Sequence, residues 1–96
     1  MVEARAQVPE KAAQIAVTVR YFAAARAAAG VESETLTLRT GATVAGLVEV
    51  LGDRGTHLAA VLSRCSYLKD GIAVRDVASA LSAGDTVDVL PPFAGG

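Results

Sequence analysis

The last seven residues of the chain carry the group best suited to chemistry. The sequence ends Leu90-Pro91-Pro92-Phe93-Ala94-Gly95-Gly96. The two prolines lack N–H donors and hold φ near −65°, so a strand that reaches them must stop pairing and continue extended. The last three residues carry a single methyl group, span roughly 10 Å and can thread a narrow channel. We therefore predict that the carboxylate of Gly96 is the working group and that Pro91, Pro92, Phe93, Ala94 and Gly95 thread it into a partner.

This carboxylate cannot react as it stands. An α-carboxyl group has a pKa of about 3.3–3.7, so it is ionised at neutral pH and is a poor acyl donor until it is activated. The alternative is that the two glycines are simply a frayed chain end. The apolar strand and the Pro-Pro pair that precede them argue against this alternative, because the chain does not fade into a polar segment.

The other reactive side chains are weaker candidates. Cys65 continues the helical spacing of the apolar residues before it, so we predict a core position. His57 has no second histidine for a metal site or a triad, and we predict a solvated surface position. The five aspartates could be paired as acid/base candidates only by guessing, and most of them fall in turns, where Asp is favoured for local hydrogen bonding: Asp53, Asp70, Asp76, Asp85 and Asp88. No glycine-rich phosphate loop is present. We expect no active site and no metal site in the chain itself, so partners must supply the chemistry.

Composition bounds the class of protein. The 96 residues suit one domain, and 52% apolar with 20% charged residues can bury a core. The net charge is −1 with no basic stripe, which favours neither a nucleic acid nor a membrane partner. Residues 1–14 are charged and have no apolar stretch, so we interpret them as a flexible leader and expect a cytoplasmic location. The single cysteine excludes an intramolecular disulfide.

Apolar periodicity predicts the elements of the first half. Residues 15–22 alternate with a period of two, and the residues assigned to the core face are Ile15, Val17, Val19 and Tyr21. Phe22 falls on the opposite face, where a polar residue would be expected. Residues 23–29 are nearly all alanine and end at Gly30, which indicates a short helix with a glycine C-cap. Residues 34–39 alternate again and predict a second strand.

The second half predicts helices, a hairpin and a last strand. Thr43 N-caps a helix with apolar residues at i, i+3, i+4 and i+7, and Thr56 caps another helical stretch. Asp70-Gly71 between apolar residues is a strong hairpin signal. Residues 82–85 form a turn, and residues 86–90 form a strand. Val87 and Val89 point inward in that strand, whereas Thr86, Asp88 and Leu90 point outward.

This order of elements predicts an α+β domain over residues 15–90, with a helix across one face of a mixed sheet, and an extended tail over residues 91–96. In such a sheet the first and last strands can lie side by side. Phe22 would then lie near Leu90 at the base of the tail, and together they would form an exposed apolar patch. Such patches mark partner sites more often than accidents.

Three segments resemble the small, sulfur-carrier subunit of molybdopterin synthase: residues 19–26, residues 82–87 and the tail 91–96. The resemblance covers residues 15–96 and implies a ubiquitin-like β-grasp fold. It also implies that Phe22, Leu90 and, as a weaker match, Leu68 contact the large subunit. The family often has an acidic residue directly after the arginine of the first connector. In this chain the residue at that position is Ala27.

The resemblance further implies a reaction cycle and its partners. An activating enzyme consumes ATP and Mg²⁺ to adenylate the Gly96 carboxylate, and a sulfurtransferase donor converts the adenylate to a thiocarboxylate. The tail then enters the large catalytic subunit, in a heterotetramer, and gives sulfur to cyclic pyranopterin monophosphate during molybdenum cofactor biosynthesis. No cofactor is bound by this chain, which is the sulfur-donating subunit of a heteromeric enzyme.

Three alternatives remain open from the sequence. A sulfur carrier for thiamine or cysteine biosynthesis would share the Gly-Gly end. A ubiquitin-like modifier would pass the same adenylate to lysines, and its conjugates would survive thiol reductants and denaturant. A plain interaction module would keep full pathway activity without Gly96.

Overall fold

The structure is a computed structural model and describes residues 13–92. Five strands and three helices follow one another as β1 (Gln14–Tyr21), α1 (Ala23–Ala29), β2 (Ser33–Arg39), α2 (Val44–Gly52), α3 (Thr56–Leu62), β3 (Ser66–Lys69), β4 (Ile72–Ala73) and β5 (Thr86–Leu90). The predicted leader lies almost wholly outside the described residues, as do Phe93, Ala94, Gly95 and Gly96. No helix within residues 13–92 has both the length and the apolarity to cross a membrane.

The five strands form one mixed sheet in the order β2-β1-β5-β3-β4. β1 pairs antiparallel with β2 and parallel with β5, and β5 pairs antiparallel with β3. The predicted adjacency of the first and last strands is therefore confirmed. With α2 packed across one face, this is the β-grasp arrangement that the resemblance implies.

The core lies between the sheet and the helices, and alternation along the strands accounts for it. Val17, Val19 and Tyr21 are buried as predicted, while Ile15 packs against the core from a half-buried position. The helices and the last strand supply most of the other buried residues: Ala25, Val44, Leu47, Leu51, Leu58, Leu62, Val87 and Val89. No helix within residues 13–92 packs on the opposite face of the sheet, which is called the open face below.

Local signals place most element ends correctly. The Thr43 hydroxyl accepts a 3.0 Å hydrogen bond from the Gly46 N–H, as an N-cap should. Gly30 ends α1 with φ 81°, the left-handed conformation that favours glycine at a helix C-terminus. Asp70 and Gly71 both have positive φ, 50° and 85°, which is the two-residue hairpin turn predicted between β3 and β4.

Two predicted helix details are wrong. Thr56 is the first residue of α3 and not its cap; Gly55 holds the cap position, with no side-chain hydrogen bond. Cys65 lies beyond the helix, which ends at Leu62, and it is half-buried against the core. Its spacing predicted the contact with the core correctly, because hydrogen bonds from the Arg64 and Cys65 N–H groups to the carbonyls three residues earlier continue the winding for another turn.

Candidate functional site

The base of the tail lies where two parallel strands end together. β5 ends at Leu90, after which Pro91 is buried and Pro92 is exposed. In the neighbouring strand, Tyr21 pairs with Val89, and the Phe22 N–H donates a 3.2 Å hydrogen bond to the Val89 carbonyl. The tail therefore leaves the domain directly beside Phe22.

Phe22 keeps the extended conformation of the strand and also caps α1. Its φ and ψ are −122° and 149°, and the next residue, Ala23, has φ 51°. A positive φ is uncommon for alanine and turns the chain sharply. This turn sends α1 across the helix side of the sheet while Phe22 stays in line with β1.

The predicted apolar patch is smaller than expected. Phe22 is 38% exposed, but Leu90 and Leu68 are half-buried. Register places Leu68 opposite Asp88 and Ser66 opposite Leu90, so all these residues share the open face. The structure brings the three proposed contact residues to one end of this face; whether they bind a partner stays a prediction.

A charged pair lies beside this patch. Arg20 Nε donates to Asp88 Oδ1 at 2.6 Å, and Arg20 Nη2 donates to Asp88 Oδ2 at 2.8 Å. The Asp88 side chain, predicted to point outward, is on the open face but only 8% exposed because the guanidinium lies against it. Alternation in the sequence predicted which face of the sheet Asp88 lies on but did not predict its burial. The burial depends on Arg20, which is 68 residues away in the sequence, so no local pattern indicates it.

A groove lies on the helix side of the tail base, with a volume of about 300 Å³. Its lining comes from α1, from α3 and the residues after it, and from the start of the tail: Ala24, His57, Ala60, Val61, Arg64, Pro91 and Pro92. His57 is exposed as predicted, yet it borders the tail together with Arg64. The sequence contains a signal for this grouping, because positions 57, 60, 61 and 64 follow the helical spacing i, i+3, i+4 and i+7.

The remaining candidates have structural partners. The Cys65 thiol donates to the Val61 carbonyl at 3.2 Å, and burial raises its pKa, which disfavours the reactive thiolate. Asp70, Asp76 and Asp85 accept main-chain N–H bonds of 2.8–2.9 Å, as expected for turn aspartates. Across residues 13–92 there is no group of three or more His, Cys, Asp or Glu side chains arranged to hold a metal.

One polar network was missed by the sequence. The Tyr21 hydroxyl donates to Glu34 Oε2 at 2.5 Å, and Arg54 Nη1 donates to the same oxygen at 2.6 Å. The Arg54 hydrogen bond, aided by Tyr21, holds the pKa of Glu34 below its ordinary value, and burial raises the pKa of Tyr21. A buried tyrosine needs a hydrogen-bond partner for its hydroxyl, but the alternation of apolar residues does not identify that partner. The network ties the α2–α3 connection to the sheet.

The tail therefore leaves the domain at the shared end of β1 and β5, beside Phe22. Residues 13–92 contain no cluster of catalytic side chains. The family model of the ThiS family matches residues 19–96, which is most of the chain and includes the whole tail. The chain belongs to the ThiS family. No curated protein matches it by sequence search.

Solved structures agree with this assignment. A Pyrococcus furiosus protein provisionally named molybdopterin converting factor, subunit 1, is 30% identical, with a TM-score of 0.75 over 82% of this chain and 99% of that one. Small archaeal modifier protein 1 of Haloferax volcanii is 24% identical, with a TM-score of 0.73 over 84% of this chain and 99% of that one.

A third structure contains a complex. One chain in the complex of subunits 1 and 2 of molybdopterin-converting factor from Helicobacter pylori is 22% identical, with a TM-score of 0.60 over 85% of this chain and 100% of that one. The second and third likenesses establish a shared fold alone. The family match and the Pyrococcus structure confirm a ubiquitin-like β-grasp chain of the sulfur-carrier family.

Proposed function

We propose that this chain is the sulfur-carrier subunit of a molybdopterin synthase. The observation that carries the proposal is the exit of the tail at the end of β5, beside Phe22 and Leu90 on the open face. A partner that binds this end of the sheet also contacts the first residues of the tail. The 30% identity to the Pyrococcus protein, which is named as a molybdopterin converting factor subunit, supports the molybdopterin branch.

The chemistry of the cycle follows from the carboxylate. Gly96 attacks the α-phosphorus of ATP in the activating enzyme, which releases pyrophosphate and leaves an acyl adenylate. A donor then delivers the equivalent of hydrosulfide to the acyl carbon; the C–S bond forms, the C–O bond to AMP breaks, and AMP leaves. The product is a thiocarboxylate, which is a softer and better nucleophile than the original carboxylate.

The large subunit would complete the reaction. There the thiocarboxylate sulfur bonds to a carbon of cyclic pyranopterin monophosphate, water then hydrolyses the bond between that sulfur and the Gly96 acyl carbon, and the carboxylate of Gly96 is regenerated. Two such transfers supply the two sulfurs of the dithiolene. Holding the tail beside the acceptor makes the transfer an effectively unimolecular step. The Helicobacter complex of subunits 1 and 2 supports a large subunit as the partner. The acid, base and phosphate-binding groups belong to that partner in this proposal.

The acceptor separates this function from the alternatives that share the activated carboxylate. The test is reconstitution of the purified chain with a cognate activating enzyme, ATP, Mg²⁺, a sulfur donor and a large synthase subunit. The proposal predicts conversion of cyclic pyranopterin monophosphate to molybdopterin. Sulfur transfer into a thiazole or cysteine precursor instead, or lysine conjugates that survive reductant and denaturant, would replace it with one of the other readings.

A further inference from the structure

The guanidinium of Arg20, beside the base of the tail, has N–H groups that Asp88 does not use. A guanidinium carries five N–H groups in a rigid plane. Two of them are used by Asp88, through Nε and Nη2. No other acceptor among residues 13–92 takes a hydrogen bond from this guanidinium, and the Arg20 side chain is 52% exposed. Three N–H groups therefore have no acceptor among these residues.

Asp88 fixes where those donors point. Its side chain is 8% exposed and holds the guanidinium through two bonds in a fork, which a single point contact could not do. The guanidinium carbon lies 5.6 Å from the centre of the Phe22 ring. A surface that covers Phe22 must therefore also cover the free edge of Arg20.

Covering that edge has a consequence for the partner. Donors that lose water and find no acceptor weaken binding, and the loss is larger for a charged group. The charge itself is already matched, because Asp88 is the carboxylate of the pair. A second carboxylate from the partner would leave an excess negative charge in a dry contact, which is unfavourable. Neutral oxygen acceptors meet both requirements.

We propose that the protein receiving the tail places an apolar surface on Phe22 and main-chain carbonyl oxygens against the free N–H groups of Arg20. Arg20 is thus a contact residue that selects a partner by its acceptors, and Asp88 is the residue that positions it. This inference rests on the proposed function, in which the receiving protein is the large subunit; the activating enzyme, which also takes the tail, serves as the comparison.

The test compares two variants of the full chain in calorimetric binding to each of these two proteins. Arg20→Met with Asp88→Asn removes the donors without leaving an unpaired carboxylate. The control is Arg39→Met, which removes an exposed arginine on the same sheet face, at the end of β2, where it pairs with Gln14 far from the tail. Urea unfolding of both variants shows that they are folded.

We expect the double variant to bind the large subunit about tenfold or more weakly, because the partner's carbonyls lose their donors. Arg39→Met binds like the wild type. The ratio between wild-type and double-variant affinities stays constant from low to high salt, as it should for neutral acceptors. Wild-type affinity in the double variant overturns the inference, and a ratio that shrinks with salt overturns the carbonyl assignment. If the wild type binds neither protein, the proposed function fails and the inference fails with it.

Discussion

Tyr21 and Val89 pair across two parallel strands, and this pair sets the position of the tail. One residue further along, Phe22 leaves β1 and donates its N–H to the Val89 carbonyl, while Leu90 completes β5. The strands end together, so the aromatic ring and the exit of the tail cannot be separated without breaking the sheet.

Replacing Phe22 or Leu90 with Glu should weaken binding to the large subunit. Each change forces a charge into an apolar contact, and we expect at least a tenfold loss of affinity, or about 1.4 kcal/mol. Calorimetry measures it. Val50→Glu is the matched control, since Val50 is 45% exposed and lies on α2. Unchanged affinity in both test variants would show that the apolar patch of Phe22 and Leu90 does not bind the large subunit.

Removing Gly96 should abolish sulfur transfer and leave the fold intact. The deletion moves the carboxylate back by one residue, out of reach of the groups that act on it. Adding one glycine after Gly96 should have the same effect, although the Gly-Gly pair is then preserved. Circular dichroism and urea unfolding check the fold, and molybdopterin formation checks function. A folded, fully active deletion variant would favour a plain interaction module.

Glu34→Gln should destabilise the protein by about 1–3 kcal/mol near neutral pH, because Glu34 accepts hydrogen bonds from Arg54 and Tyr21. The folded pKa of Glu34 lies below its ordinary value of 4.5, chiefly through the Arg54 hydrogen bond. Its contribution is therefore full above pH 4.5 and declines as the pH falls through the folded pKa.

Urea unfolding at a series of pH values tests this. The stability difference between wild type and Glu34→Gln should shrink as the pH falls below 4.5. The control is Glu49→Gln at an exposed position of α2, for which we expect little effect at any pH. A difference that stays constant with pH would mean that the network does not depend on the charge of Glu34.

Cys65→Ala should leave sulfur transfer unchanged and lower the free energy of unfolding by about 1 kcal/mol, through the loss of a half-buried side chain. The raised pKa of the thiol and its hydrogen bond to Val61 both disfavour a reactive role. The rate of molybdopterin formation is the measurement. A large loss of rate would make Cys65 a sulfur carrier in its own right.

Local pattern predicted the frame of the molecule well. Alternation in β1 and β5 identified their buried faces, Asp70-Gly71 identified the hairpin, and Gly30 identified the end of α1. Each of these depends on neighbours in sequence. The exposed face of Phe22 was likewise visible as a break in alternation.

Side-chain pairs across the sheet could not be predicted in the same way. The burial of Asp88 depends on Arg20, and the partners of Glu34 lie 13 and 20 residues away. Register decides such pairs, and register is set by the whole sheet. The family resemblance added what no pattern in this chain contains, namely the fate of the tail carboxylate.

The most direct test of the account is mass spectrometry of the Gly96 terminus. The Cys65→Ala chain is incubated with a cognate activating enzyme, ATP, Mg²⁺ and a sulfur donor, and its intact mass is measured before and after thiol alkylation. Fragmentation locates the change, because oxidation of Met1 adds nearly the same mass as exchanging oxygen for sulfur. We predict an alkylatable sulfur at Gly96. A terminus that stays unmodified with every cognate activator present would contradict the assignment as a sulfur carrier.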